Sequence, residues 1–233
     1  MKPAAVIFVV LLLISCAAKA QVISLLPTKA NVIYAYTGSN QVGTYLAIGY
    51  ARTVELRFLD KLHIPFLKSH PMMFFGEFSS RTDHFGNNLR FTYGAQTDIV
   101  HKGRFRLPFK KTFYVAETRN TFYKSLSIGA GLGLLPGYYT ERFSIAADIF
   151  YSHNWTTKIW DLDRNYQNEP PSKNHLTEGW HHHIGGSLKM GVIVAYKHKK
   201  SEYFIETGYQ GFKNPNIANL SIFYSSFGLN YRF

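Results

Sequence analysis

From residue 21 onward, apolar and polar residues alternate along segment after segment, and no stretch keeps the 3.6-residue period of an amphipathic helix. Leu126, Ile128, Ala130, Leu132 and Leu134 interleave with Ser125, Ser127, Gly129, Gly131 and Gly133. Phe143, Ile145, Ala147, Ile149 and Tyr151 interleave with Ser144, Ala146, Asp148, Phe150 and Ser152. The same holds for Leu89 to Ile99 against Arg90 to Asp98, and for Tyr203 to Tyr209 against Glu202 to Gln210. Successive side chains of a strand point to opposite faces, so each segment reads as a β-strand with one apolar and one polar side. No window holds the 18 or more apolar residues of a transmembrane helix.

A soluble sandwich or a lipocalin also alternates, but it turns bulky apolar residues inward and charges outward. Here the apolar faces end in Tyr, Phe and Trp, as required at the two edges of a lipid band. The other faces carry Gly, Ser, Asp, Glu, Arg and Gln, which suit a wet or hydrogen-bonded lumen. Composition agrees: 16% of residues are aromatic and only 17% charged, against about 25% charged in an ordinary soluble domain. Half of each strand would then meet hydrocarbon, where charge is excluded.

At the carboxyl end Phe223, Phe227, Leu229, Tyr231 and Phe233 share one face, and Ser226, Gly228, Asn230 and Arg232 the other. This resembles the terminal signal of bacterial outer-membrane β-barrel proteins, and the chain as a whole is similar to small barrels of Gram-negative bacteria. The resemblance implies that Phe227, Leu229, Tyr231 and Phe233 are read by the barrel assembly machinery. It also implies an all-β, closed antiparallel transmembrane barrel in the cell outer membrane, in contact with its lipids.

The amino terminus fits export. Lys2 precedes an apolar run from Ala4 to Ile14, and Ala18-Lys19-Ala20 offers a small-x-small site, so residues 1–20 read as a signal peptide cleaved before Gln21. A competing reading takes Leu13-Ile14-Ser15-Cys16 as a lipobox, making the product a lipid-anchored β protein modified at Cys16. Under the cleavage reading the mature domain, residues 21–233, has no cysteine and no disulfide.

Short turns on the periplasmic side, longer loops outside and both termini inside require an even strand number. Strands are expected near 30–37, 43–58, 72–82, 88–101, 104–116, 121–135, 141–156, 181–197, 202–212 and 219–233, which makes ten. The connection 59–71, with Pro65 and Pro71, is the exception to the short-turn rule, and eight strands is the alternative. A barrel this narrow is filled by side chains rather than left as a wide pore.

The formal charge of +12 falls to +10 once Lys2 and Lys19 leave with the signal. The basic residues form no helical or RNP-like motif, which argues against nucleic-acid binding. Lys102, Arg104 and Arg106, and Lys197, Lys199 and Lys200, fall at expected periplasmic turns; Lys110 and Lys111 fall inside one strand. The loop 157–180 and the strand after it carry Asp161, Asp163, His175, His181 and His183, loop candidates for a divalent cation. Of three consecutive histidines only alternate ones share a face, so His181 and His183 would have to converge. No metal-ligand motif accompanies them, and no cofactor is expected.

Enzymes occur in this architecture. Barrel lipid A deacylases place a His two residues before a Ser on one face, whereas Ser152 and His153 are adjacent and in the opposite order. Omptin-type proteases use rim Asp and His pairs, and Asp161, Asp163 and His175 match that spacing no better. The reading favours a structural or surface-binding role through outer loops, with a rim enzyme acting on lipid or peptide as the alternative. The sequence carries no indication of oligomeric state.

Overall fold

The computed structural model describes residues 31–40, 43–55, 71–82, 88–119, 123–160, 177–183, 185–214 and 217–233. The signal segment, Cys16, Asp161, Asp163 and His175 lie outside the described residues. The strands are β1 Asn31–Asn40, β2 Gly43–Val54, β3 Met72–Arg81, β4 Asn88–Lys102, β5 Phe105–Arg119, β6 Lys124–Leu134, β7 Gly137–Tyr139, β8 Phe143–Trp160, β9 Gly179–His182, β10 Gly186–His198, β11 Ser201–Asn214 and β12 Ile217–Arg232. Every pairing is antiparallel, and the last strand pairs with the first from Val32 opposite Arg232 to Asn40 opposite Tyr224. The sheet therefore closes on itself through the pairing of β12 with β1 and of β10 with β8.

Two elements are not separate staves. β7 continues β6 beyond Leu135-Pro136, where proline has no N–H to give the ladder; Leu135 N–H still donates to Pro108 O at 2.9 Å and Ala147 N–H to Pro136 O at 2.9 Å. β9 lies on the side of β8 away from β6 and continues the stave of β10. The result is the ten-stranded closed barrel expected from turn parity, rather than the eight-stranded alternative.

The sequence reading ends one strand near 156 and begins the next at 181. In the structure β8 runs on to Trp160, and the stave beside it begins at Gly179 with β9 and resumes at Gly186 as β10. A bulge is the cause. Ile128 faces Thr156 while Gly129 faces Asn154, so Trp155 has no partner on β6 and the alternation restarts one residue out of phase. Such a phase shift resembles a strand end when periodicity alone is followed.

Both chain ends of the described barrel lie at one rim, the terminal rim, where Phe233 N–H donates to Asn31 O at 3.1 Å. The hairpins there are tight. Lys102 pairs with Phe105 across a two-residue turn in which Gly103 sits at φ 61°, and His198 pairs with Ser201 across a turn holding Lys199 at φ 53°. The opposite end is called the far rim.

Inside and outside are cleanly separated. On β10, Ile193 and Ala195 are each 1% exposed, while Val192 and Val194 between and beside them are 45% and 47% exposed. The same contrast separates buried Phe204 and Glu206 from exposed Tyr203 and Ile205 on β11. Phe227, Tyr231 and Phe233, expected from the sequence to form the terminal assembly signal, face outward.

Candidate functional site

The lumen is filled by an ionic core built from strands far apart in sequence. Lys189 on β10 reaches Asp148 Oδ2 on β8 at 2.5 Å and Glu206 Oε1 on β11 at 2.6 Å. Tyr224 Oη donates to the same Glu206 oxygen at 2.6 Å, and Ser226 Oγ to Glu206 Oε2 at 3.4 Å. Polar groups continue the layer toward the far rim: Ser152 Oγ and Ser187 Oγ lie 2.9 Å apart, and Gln210 Nε2 donates to Ser187 Oγ at 3.1 Å. Nearer the terminal rim, Asn230 Nδ2 donates to Glu202 Oε2 at 3.2 Å. Charges taken from water are tolerated only in such pairs.

Aromatic rings fill the rest of the lumen by lying over glycines. A Cβ at Gly49 would fall 2.2 Å from Tyr34, one at Gly131 2.3 Å from Phe150, one at Gly191 2.2 Å from Tyr224, and one at Gly228 2.2 Å from Phe204. Lys110 projects inward, 4.8 Å from the Phe75 ring centre and 5.9 Å from that of Phe150. The glycine-rich polar face of β6 is thus a seat for rings from neighbouring staves. It does not line an open channel.

The outer wall carries aromatic pairs toward both rims. Phe105 packs on Tyr138 at 6.0 Å and Phe143 on Tyr196 at 5.0 Å at the terminal rim. Tyr209 packs on Phe223 at 5.6 Å and Phe113 on Trp155 at 5.8 Å toward the far rim. Aliphatic residues such as Val192, Val194 and Ile205 lie between, as the hydrocarbon and interface zones of a bilayer demand.

The far rim holds the loop candidates that fall among the described residues. His181 Nε2 lies 2.6 Å from Thr177 O and donates to it, whereas His183 Nδ1 lies 3.2 Å from Nε2 of His153. His181 and His183 therefore serve different partners. Among the described residues no group of three or more His, Cys, Asp or Glu is placed to hold a metal ion. The sequence reading did not pair His153 with His183. Their approach depends on a turn with His183 at φ 55° and Gly185 at φ 79°, pinned by His183 N–H to Trp155 O at 3.0 Å. Ser152 points into the lumen against Ser187 and His153 outward against Tyr151, so the two stand on opposite sides of the wall. Trp180 and Lys158 meet at 5.8 Å on the same rim.

No protein-family model and no curated protein matches the chain. Among solved structures, CdiB from Acinetobacter baumannii aligns over 83% of this chain at 13% identity with a TM-score of 0.37; the match takes in 34% of CdiB, so this chain spans about a third of its length. Ail, the attachment invasion locus protein of Yersinia pestis, aligns over 88% of this chain and 100% of its own at 11% identity with a TM-score of 0.27. The barrel itself stands on the closed strand register, not on these likenesses.

Proposed function

We propose that the chain is an integral outer-membrane barrel with a sealed lumen, serving as a structural element or as a binding surface at its far rim. One observation carries this reading: the polar and ionic side chains are inside, and the wall facing outward is apolar with aromatic residues toward both ends. A water-soluble barrel would expose the reverse. Lipid also requires strand edges to be paired, and closure of β12 on β1 pairs the two strands that would otherwise be edges. The lumenal ion cluster and its rings argue against a conducting role. Placement of Ser152 and His153 on opposite sides removes the nearest nucleophile and base pair. The far rim offers exposed Trp155, Trp180 and Tyr151 with His153 and Lys158, amphipathic groups of the kind that anchor protein and carbohydrate contacts.

Orientation is tested on intact cells. In the mature chain, Lys158→Cys is expected to react with a membrane-impermeant maleimide without lysis, and Arg104→Cys only after the outer membrane is permeabilised. Labelling in the reverse order contradicts the topology. Planar-bilayer recordings of the purified barrel are expected to show no porin-sized conductance steps; regular steps of that size would overturn the sealed lumen.

The assembly role of the terminal strand makes its own prediction. Removing Phe233 deletes the outermost aromatic of the closing strand and its N–H to Asn31. Outer-membrane levels of the folded protein are expected to fall several-fold on immunoblots of fractionated cells, and unchanged levels would remove the case for a terminal assembly signal.

A further inference from the structure

Three neighbouring hairpins of the terminal rim end in exposed cations: Lys102 and Arg104 between β4 and β5, Arg142 between β7 and β8, and Lys199 and Lys200 between β10 and β11. On these three tips the exposed acid is Glu141 alone. The buried acids at this end, Asp98 and Glu202, instead lie 3.8 Å from Arg106 and 3.9 Å from Arg232. Among the described residues none of the five tip cations has an ion-pair partner. The far rim differs. Its exposed cations Arg119 and Lys158 have partners in the chain, Glu117 at 2.6 Å and the Trp180 ring.

The basic tips are fixed by the staves beside them. Tyr139 N–H donates to Arg104 O at 2.9 Å, Lys197 N–H to Arg142 O at 2.7 Å, and Arg232 N–H to Lys200 O at 2.9 Å. Successive tips stand two staves apart, roughly 10 Å across the strands, so each can meet a different phosphate. Directly behind them, toward the middle of the wall, lie the exposed rings of Phe105, Tyr138, Phe143 and Tyr196. Such rings sit at the boundary between headgroups and acyl chains, which puts the cations beyond them at headgroup depth. A lipid with its phosphate at a tip would lay its chains past these rings and along exposed Ile145, Val192 and Val194, toward the far rim. We infer that the three basic tips bind the headgroups of anionic phospholipids in the leaflet on the terminal-rim side, one lipid to each tip.

The inference rests on the membrane-barrel reading proposed above, and the test separates the two. The folded protein in detergent is mixed with equimolar phosphatidylglycerol and phosphatidylcholine and examined by native mass spectrometry. The wild type is expected to retain up to three phosphatidylglycerol molecules, each in roughly fivefold preference over phosphatidylcholine, the worth of one cation near an anionic lipid surface. Lys199→Gln with Lys200→Gln is expected to lose one of them. Adding Lys102→Gln, Arg104→Gln and Arg142→Gln is expected to abolish the preference, whereas Arg119→Gln with Lys158→Gln at the far rim behaves as wild type. Wild-type retention by the double or the fivefold tip variant overturns the site, as does a wild type without preference or a far-rim variant that loses it equally. Retention of an added oligoglutamate in place of phosphatidylglycerol would assign the tips to an acidic polypeptide and overturn the lipid reading. Flotation of each protein with vesicles, and a gel mobility that changes on heating, report the barrel itself. If these hold and the lipid preference is absent, only the site falls; if these fail, the barrel reading falls and the site with it.

Discussion

Lys189→Met is expected to destabilise the folded barrel by about 3–5 kcal/mol, because it leaves two buried carboxylates facing each other without their cation. Asp148 and Glu206 have side chains only 1% exposed, and Lys189 Nζ sits within 2.6 Å of both. Tyr224 and Ser226 still donate to Glu206, but neither can neutralise a charge. Urea titration of the barrel in lipid vesicles, followed by tryptophan fluorescence and by mobility on unheated gels, measures the loss. The triple variant Lys189→Met, Asp148→Asn, Glu206→Gln is expected to recover most of it, since replacing all the charged partners together removes the desolvation cost as well as the attraction. A Lys189→Met midpoint within error of wild type would show that the cluster is hydrated in solution and does not seal the lumen.

Gly228→Val is expected to destabilise the barrel by about 1–3 kcal/mol through overpacking. A Cβ there would lie 2.2 Å from Phe204 Cζ and 2.7 Å from Tyr36 Cβ, and both rings are buried. The phenylalanine ring has nowhere to swing, because the lumen around it is occupied. Phe204→Ala alone is expected to cost about 3–5 kcal/mol as a cavity. Combined with Gly228→Val the cost should be less than the two single effects added, since the new methyls enter the space the ring vacates. Strict additivity in the same urea assay would mean that ring and glycine do not share one space.

Much of this barrel was legible because the side-chain period of a strand is local. The faces of β6 and β8, the outward Phe227, Tyr231 and Phe233, and the inward Asp148, Glu202 and Glu206 all follow from counting by twos. What alternation cannot supply is the register between strands. Lys189 meets Asp148 and Glu206 only because β10 is paired on both sides at one particular offset, and no local pattern marks it as their partner. Lys110 and Lys111 show the same limit. Neighbours in a strand must face opposite ways, but only the three-dimensional surroundings show that one meets Phe75 in the lumen and the other a groove in the wall. The seat of Phe150 over Gly131 and Gly133 is likewise a cross-strand fact; in the sequence it is just a small, polar-looking face. The pairing of His153 with His183 is not legible in the sequence because the bulge at Trp155 and the turn at Gly185 lie between regular segments, where periodicity gives no signal.

The central claim is that the outer wall of a sealed, ten-stranded barrel faces lipid, and nitroxide accessibility tests it most directly. Cysteines at Val192, Val194 and Ile205 probe the middle of the wall without entering the packed lumen, and cysteines at Tyr138 and Trp180 probe the two rims. With the spin-labelled protein in vesicles, collision with oxygen relative to a water-soluble nickel complex is expected to be highest at 192, 194 and 205 and to fall toward both rims. A nickel complex that reaches the middle as readily as the rims would place the wall in water and contradict the transmembrane barrel.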